Sequence, residues 1–280
     1  MTWKDILVFA DGSEDGLVRV KLALALAQAH EAHLEAQVVS VLPLHPWGPF
    51  SGAVEQAYQG ARSAALAQGQ RALAAIRGVA AFGADFSGQT CEAGFDAVQR
   101  VVAAAARPAD LVMLGKPETH DRSDLDTEIF MGAVFSGGQP CLMLPRWVQP
   151  QSYGKRALIA WKATPQAARA LHAALPLLKR AESVRIAVVD AREEEPGEQR
   201  SALERLTAQL SRHGVRVEEP VMTQSMLGEV SQAIDAQVLE FGADLLVMGA
   251  YGHSRMGEFV FGGVSRSMIR GARVPVLLSH

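Results

Sequence analysis

ADLLVMG at residues 243–249 repeats, almost letter for letter, the ADLVMLG of residues 109–115. Each word is followed after an interval by a proline-led apolar run, QPCLMLP at 139–145 and VPVLLSH at 274–280. The order of the other segments repeats as well. KDILVFADGSEDG at 4–16 answers KRALIAWKATPQA at 155–167, and both lead into alanine-rich helical stretches. A second apolar run follows in each half, AQVVSVL at 36–42 and VRIAVV at 184–189. The offset between the halves is 134 at Gly115/Gly249 and 151 at Asp11/Lys162, so the first half carries 17 extra residues, which the Pro, Gly and Trp stretch LPLHPWGPFSG at 42–52 accommodates.

Short apolar runs bounded by turn signals and alternating with helices predict buried parallel strands. Each half therefore reads as an α/β domain with a mainly five-stranded, doubly wound parallel sheet flanked by helices. The expected domains are residues 1–147 and 155–280, joined by the polar WVQPQSYGK at 147–155. At 280 residues the chain has room for two such cores. Sheets of this kind bind ligands beyond the carboxyl ends of their strands, where the strand order reverses. Gly249 directly follows such a strand, and GAYGHSRMGEFVFGGVS at 249–265 is the glycine-rich stretch that continues it.

Glycine lets a backbone approach an anion closely, and the N–H groups of a helix start favour phosphate. Gly249 and Gly252 open the loop; Gly262, Gly263, Val264 and Ser265 lead into a helical run. The stretch is neither a Walker loop nor GxGxxG. Its spacing, Gly249-x-x-Gly252, nine residues, then Gly262, resembles the nucleotide-binding signature of the universal stress protein family, Gly-2x-Gly-9x-Gly-[Ser/Thr]. The DGS turn at 11–13, ADLLVMG and RGARVPVLL at 270–278 resemble other family segments, so both halves together look like a tandem member.

That resemblance implies an adenine-nucleotide-binding fold and a role as stress-response sensor or regulator, with ATP or a related adenine nucleotide, with or without Mg2+, as ligand. It places Gly249, Gly252, Gly262, Gly263 and Val264 on the phosphate loop and Ser265 just inside the helix. Val188 matches the adenine-contacting backbone position. His253, after the second glycine, is placed to face phosphate. The departures are specific. Gly263 stands where the signature has a hydroxyl residue. Lys162 stands where the family has an acid toward the nucleoside, a cation with three donors and no acceptor that either meets phosphate or marks a lost site. The first half keeps Asp11, Gly12 and Ser13, yet after Gly115 it reads KPETHDRSDLD, without the glycine spacing and with Pro117 lacking a backbone donor. Its nucleotide site is expected to be degenerate. With both sites degenerate, the alternative is a scaffold or protein-interaction module that binds no nucleotide.

The net charge of −3 gives no general attraction for nucleic acid or a membrane surface. No run of roughly 18 apolar residues announces a membrane span. Two cysteines, Cys91 and Cys141, form neither a CxxC pair nor a framework, and the N-terminus lacks a signal-peptide pattern; a cytoplasmic protein is expected. HEAH at 30–33 has histidines at i and i+3 rather than the i and i+4 of a zinc helix, and reads as a solvated helix end. HDRSDLDTE at 120–128 reads as a polar loop entering an acidic first helical turn, and REEEPGEQR at 192–200 as an exposed loop. No catalytic residue or metal ligand is designated, so turnover stays open. The closing strands of the halves are candidate contacts for pairing of the two domains within the chain, and a homodimer is open.

Overall fold

The computed structural model describes residues 2–45, 52–80, 85–117, 124–146, 153–190, 196–225, 229–250, 267–269 and 271–280. The chain divides into two compact units, residues 2–141 and 142–280. The first unit contains β1 (Asp5–Phe9), α1 (Glu14–His30), β2 (His33–Leu42), α2 (Gly52–Ala80), β3 (Phe86–Gly94), α3 (Val98–Ala106), β4 (Leu111–Gly115) and α4 (Leu125–Met131), which runs on as a π-helical turn, Gly132–Gly137. A further strand, β5 (Cys141–Leu144), crosses the boundary in sequence. The second unit contains β6 (Arg156–Ala160), α5 (Pro165–Leu178), β7 (Ser183–Val189), α6 (Pro196–Arg212), β8 (Val221–Thr223), α7 (Val230–Phe241), β9 (Leu245–Gly249) and β10 (Val276–Ser279).

In the first unit the parallel strands run in the order β3-β2-β1-β4; in the second the order is β10-β9-β6-β7-β8, also parallel. The α/β class and the doubly wound order are those expected from the repeat. Strands β4 and β9 are apolar throughout, the pattern of strands buried on both faces. Leu111 to Leu114 are fully buried, and Leu245 to Val247 are exposed by 1% or less.

The repeated Asp has a structural reason. Asp110 accepts from the backbone N–H of Lys4 at 2.6 Å and of Asp5 at 3.1 Å. Asp244 does the same at the start of β6, accepting from Gly154, Lys155 and Arg156 at 2.9–3.1 Å. Each carboxylate thus fastens the entry of the first strand of its unit to the strand beside it. Those entering N–H groups precede any ladder partner, and a charged acceptor satisfies several at once.

Helix starts repeat too. Ser13 caps α1 by accepting from Gly16 N–H, and Thr164 caps α5 by accepting from Ala167 N–H. Pro165 occupies the first helical position of α5, where no N–H is needed. The extra length of the first half falls at α2, with 29 residues against 17 in α6. Its carboxyl-terminal part packs on the sheet, burying Gly69, Ala72, Leu73 and Ile76.

Two local expectations change. HEAH is not a solvated turn: His30 is 6% exposed with its ring 4.9 Å from that of Trp3, and His33 already belongs to β2, bonded to Asp85 and Ser87. A tertiary neighbour supplied by the N-terminus buries what a helix end alone would leave in water. REEEPGEQR is not a loop throughout, since α6 begins at Pro196.

Candidate functional site

The strand order reverses between β1 and β4 in the first unit and between β6 and β9 in the second, and in folds of this kind the ligand crevice lies at the carboxyl ends of these strands. The two crevices can be compared position by position. Asp11, Gly12 and Ser13 correspond to Lys162, Ala163 and Thr164; Val38 corresponds to Val188; Gly115 corresponds to Gly249. The correspondence is structural as well. Ala10 N–H donates to Gln37 O at 3.1 Å, and Trp161 N–H donates to Ala187 O at 2.8 Å, each one step beyond its strand.

In the first unit the charged groups turn onto the protein's own backbone. The Asp11 carboxylate accepts from Ser13 N–H at 3.2 Å and from Ser13 Oγ at 2.6 Å. Arg19, one turn into α1, donates to Phe9 O at 2.6 Å, and its guanidinium lies where a Cβ on Gly115 would project. What remains is a cavity of about 160 Å³, bordered by Phe9, Asp11, Arg19, Gln37 and Asp124 among others. Asp124 is the N-cap of α4, accepting from Asp126 N–H and from Thr127 Oγ1, both at 3.3 Å, as its place before an acidic first turn predicts. Beside this crevice, Gly12 adopts φ +78° and a Cβ on it would lie 2.8 Å from Ala72 Cα, so α2 closes directly onto the DGS turn.

The second unit differs in the partners of these positions, while Asp11 and Lys162 are both exposed. Lys162 is exposed and forms no ion pair among the described residues; its carbonyl accepts from Thr164 N–H at 2.7 Å. Val188 is half-buried near the end of β7. Ala170 stands at the place of Arg19 and is fully buried. Gly249 touches the start of α5: a Cβ there would lie 2.6 Å from Ala167 N and 2.8 Å from the carbonyl carbon of Gln166. Glycine at this position therefore has a packing reason of its own, and it brings a helix N-terminus to the carboxyl end of β9.

Asp190, which follows β7 with φ +51°, was not singled out from sequence. Its carboxylate accepts from Ser225 Oγ at 2.5 Å and from Ser225 N–H at 2.6 Å. Those two bonds, the hydroxyl's first, hold its carboxyl below the ordinary range, and it is fully exposed. It is an ionised acceptor fixed at the carboxyl edge of the second sheet. Its signal, an Asp directly after an apolar strand, was visible in VVD at 188–190, but its partner lies 35 residues on.

Gly252, His253, Gly262, Gly263, Val264 and Ser265 lie outside the described residues. Among the sequence-predicted site residues, Lys162, Val188 and Gly249 are described, at the ends of β6, β7 and β9 respectively. Among the described residues no group of three or more His, Cys, Asp or Glu side chains forms a metal cluster. No described helix is long and apolar enough to cross a membrane. Both cysteines are free; Cys141 is fully buried and Cys91 is half-buried, and burial pushes both thiols up from their ordinary range.

Residues 154–280 match the Universal stress protein family. Among solved structures, a universal stress protein from Archaeoglobus fulgidus DSM 4304 superposes with a TM-score of 0.70 at 18% identity, covering 98% of this chain and 95% of its own. A functionally unknown protein from Pseudomonas aeruginosa PAO1 superposes with a TM-score of 0.58 at 15% identity, covering 99% and 92%. These likenesses establish a shared fold over both units. A universal stress protein solved in complex with cAMP aligns at 17% identity over 52% of this chain and 99% of its own, with a TM-score of 0.32, too low to bear on this chain's ligand. No curated protein matches.

Proposed function

We propose that this chain, whose residues 154–280 are a universal stress protein domain, binds an adenine nucleotide through that domain and works as a stress-response sensor or regulator. ATP or a close relative, with or without Mg2+, is the proposed ligand. One observation carries the reading: Gly249-x-x-Gly252 and Gly262, at the family's phosphate-loop spacing, begin at the carboxyl end of β9, beside the start of α5. Phosphate is favoured beside such a helix start. Lys162, exposed at the end of β6, supplies a cation for the phosphate end of the ligand, and the β7 backbone at Val188 lies one strand over for the base. Gly252, His253, Gly262, Gly263, Val264 and Ser265 complete the proposed loop.

The first unit is proposed not to hold nucleotide. Asp11 is engaged by Ser13, and the Arg19 guanidinium occupies the space over Gly115, leaving a cavity of about 160 Å³. Binding rather than turnover is proposed, because no side chain is designated to activate water or accept a phosphoryl group. The proposed setting is the cytoplasm, consistent with two free cysteines.

A second reading is a scaffold that binds no nucleotide, and Gly249 favours it, because its packing on α5 explains the glycine without a ligand. Thermal unfolding with and without ATP and Mg2+ separates the two. Ligand at 100 times its Kd raises stability by about 2.7 kcal/mol. A melting temperature unmoved at millimolar ATP selects the scaffold.

A further inference from the structure

The second unit carries a groove that the nucleotide reading does not use. It lies between α5 and α6 and encloses about 420 Å³. Trp161, Ala168 and Leu171 form one wall, and Ala202 and Leu206 form the other. Leu171 and Leu206 are buried, while Ala168, Ala202 and Trp161 are half-buried, so the floor is apolar and reachable. The corresponding place in the first unit is closed. There Gly12 lets Ala72 of α2 come down onto the turn, and Ala10 is small and buried. In the second unit Ala163 replaces Gly12 and Trp161 replaces Ala10. An added Cβ and an indole at these two positions remove the close approach, and the helices stand apart.

The rim is cationic, in a chain whose net charge is −3. Arg205 and Arg212 both line the groove from α6, two turns apart on one face, and His172 lines it from α5. Arg205 donates to Ser201 Oγ at 2.7 Å, and His172 Nε2 lies 3.1 Å from Gln209 Nε2. Neither Arg205 nor Arg212 has a carboxylate partner among the described residues; the neighbouring Glu204 pairs with Arg200. Mostly apolar clefts of this size with a few polar groups are the usual form of small-molecule sites, and guanidinium is the side chain best matched to a carboxylate.

We propose that the groove between α5 and α6 binds a small amphiphilic carboxylate, its apolar body against Trp161, Leu171 and Leu206 and its carboxylate at Arg205 and Arg212. The ligand class is that of a medium-chain fatty acid. None of the groove's lining residues belongs to the nucleotide loop, although Trp161 is the chain neighbour of Lys162.

Titration with decanoate below its micelle concentration, followed by calorimetry and by tryptophan emission, tests this. The expected result is saturable binding of one decanoate per chain, with an emission change absent from Trp161→Phe. Acetate, which lacks the apolar body, and decanol, which lacks the charge, are expected to bind at least tenfold more weakly. Arg205→Gln with Arg212→Gln is expected to weaken decanoate at least tenfold and leave decanol unchanged. Ala168→Trp, which fills the groove from the half-buried wall position Ala168, is expected to abolish binding with the melting temperature retained. Absence of saturation, equal binding by decyltrimethylammonium, or unchanged affinity in the double arginine variant would overturn the proposal. ATP-dependent stabilisation measured on the double arginine variant, whose changes lie on α6 away from Lys162 and Gly249, is expected to stay as in the parent chain, so a failure of either site is distinguishable from a failure of the other.

Discussion

At the carboxyl end of β1 the first unit folds its charged groups onto itself, with Asp11 on Ser13 and Arg19 on Phe9 O, whereas at the carboxyl end of β6 Lys162 forms no ion pair among the described residues. The scaffold beneath the two places is the same. Each begins with a capped helix, each continues one hydrogen bond beyond its strand, and each has its first strand fastened by the aspartate of the ADL word. What differs is a handful of side chains: Gly12 against Ala163, Ala10 against Trp161, Arg19 against Ala170. A duplicated fold can thus keep its backbone and diverge in what its crevices and helix pairs leave open. Function is read from those positions rather than from the fold.

The largest expected effect comes from breaking the closure of the first unit. Gly12→Val forces a β-branched residue into φ +78° and drives a side chain into Ala72. Strain of about 1–3 kcal/mol and overpacking of about 1–3 kcal/mol act together. Chemical denaturation is expected to show a large loss in the first unit. Ala163→Gly, at the matching place, is expected to change stability far less, and equal losses would mean that the two turns are not built differently.

The aspartate staples come next. Asp244→Ala removes the acceptor from three backbone N–H groups and Asp110→Ala from two, and unsatisfied donors cost about 1–3 kcal/mol where water does not replace the bond. Each variant is expected to lower the denaturation midpoint, with Asp244→Ala the larger. No change in either would reduce the repeat word to its apolar letters.

These staples also mark where sequence reading stopped. The strands were legible because strands buried on both faces spell continuous apolar runs, and the duplication was legible because the same runs return in the same order. The aspartates' partners lie about 90 and 105 residues away, so nothing local announced them. His30 was misread for the same reason, its burial being supplied by Trp3. Gly249 was read as a ligand position from spacing; its contact with α5 adds a packing reason that only the folded unit displays. Arg19 carried no motif at all, yet it fills the first crevice.

The smallest expected effect concerns Asp190. Its carboxyl is held low by Ser225, so the contribution of this contact to stability is present above the ordinary carboxylate range and is lost as pH falls through the lowered value. Ser225→Ala is therefore expected to lower the melting temperature slightly at neutral pH and not at all at pH 2. A difference that persists at pH 2 would assign the effect to something other than the ionised pair.

The difference between the two crevices is tested most directly by counting nucleotides per chain. Equilibrium dialysis or calorimetry with ATP and Mg2+ is predicted to give one site per chain in the parent protein and none in Gly252→Val, whose melting temperature without ligand is unchanged. Two sites per chain, none in the parent, or one that survives Gly252→Val would contradict the account.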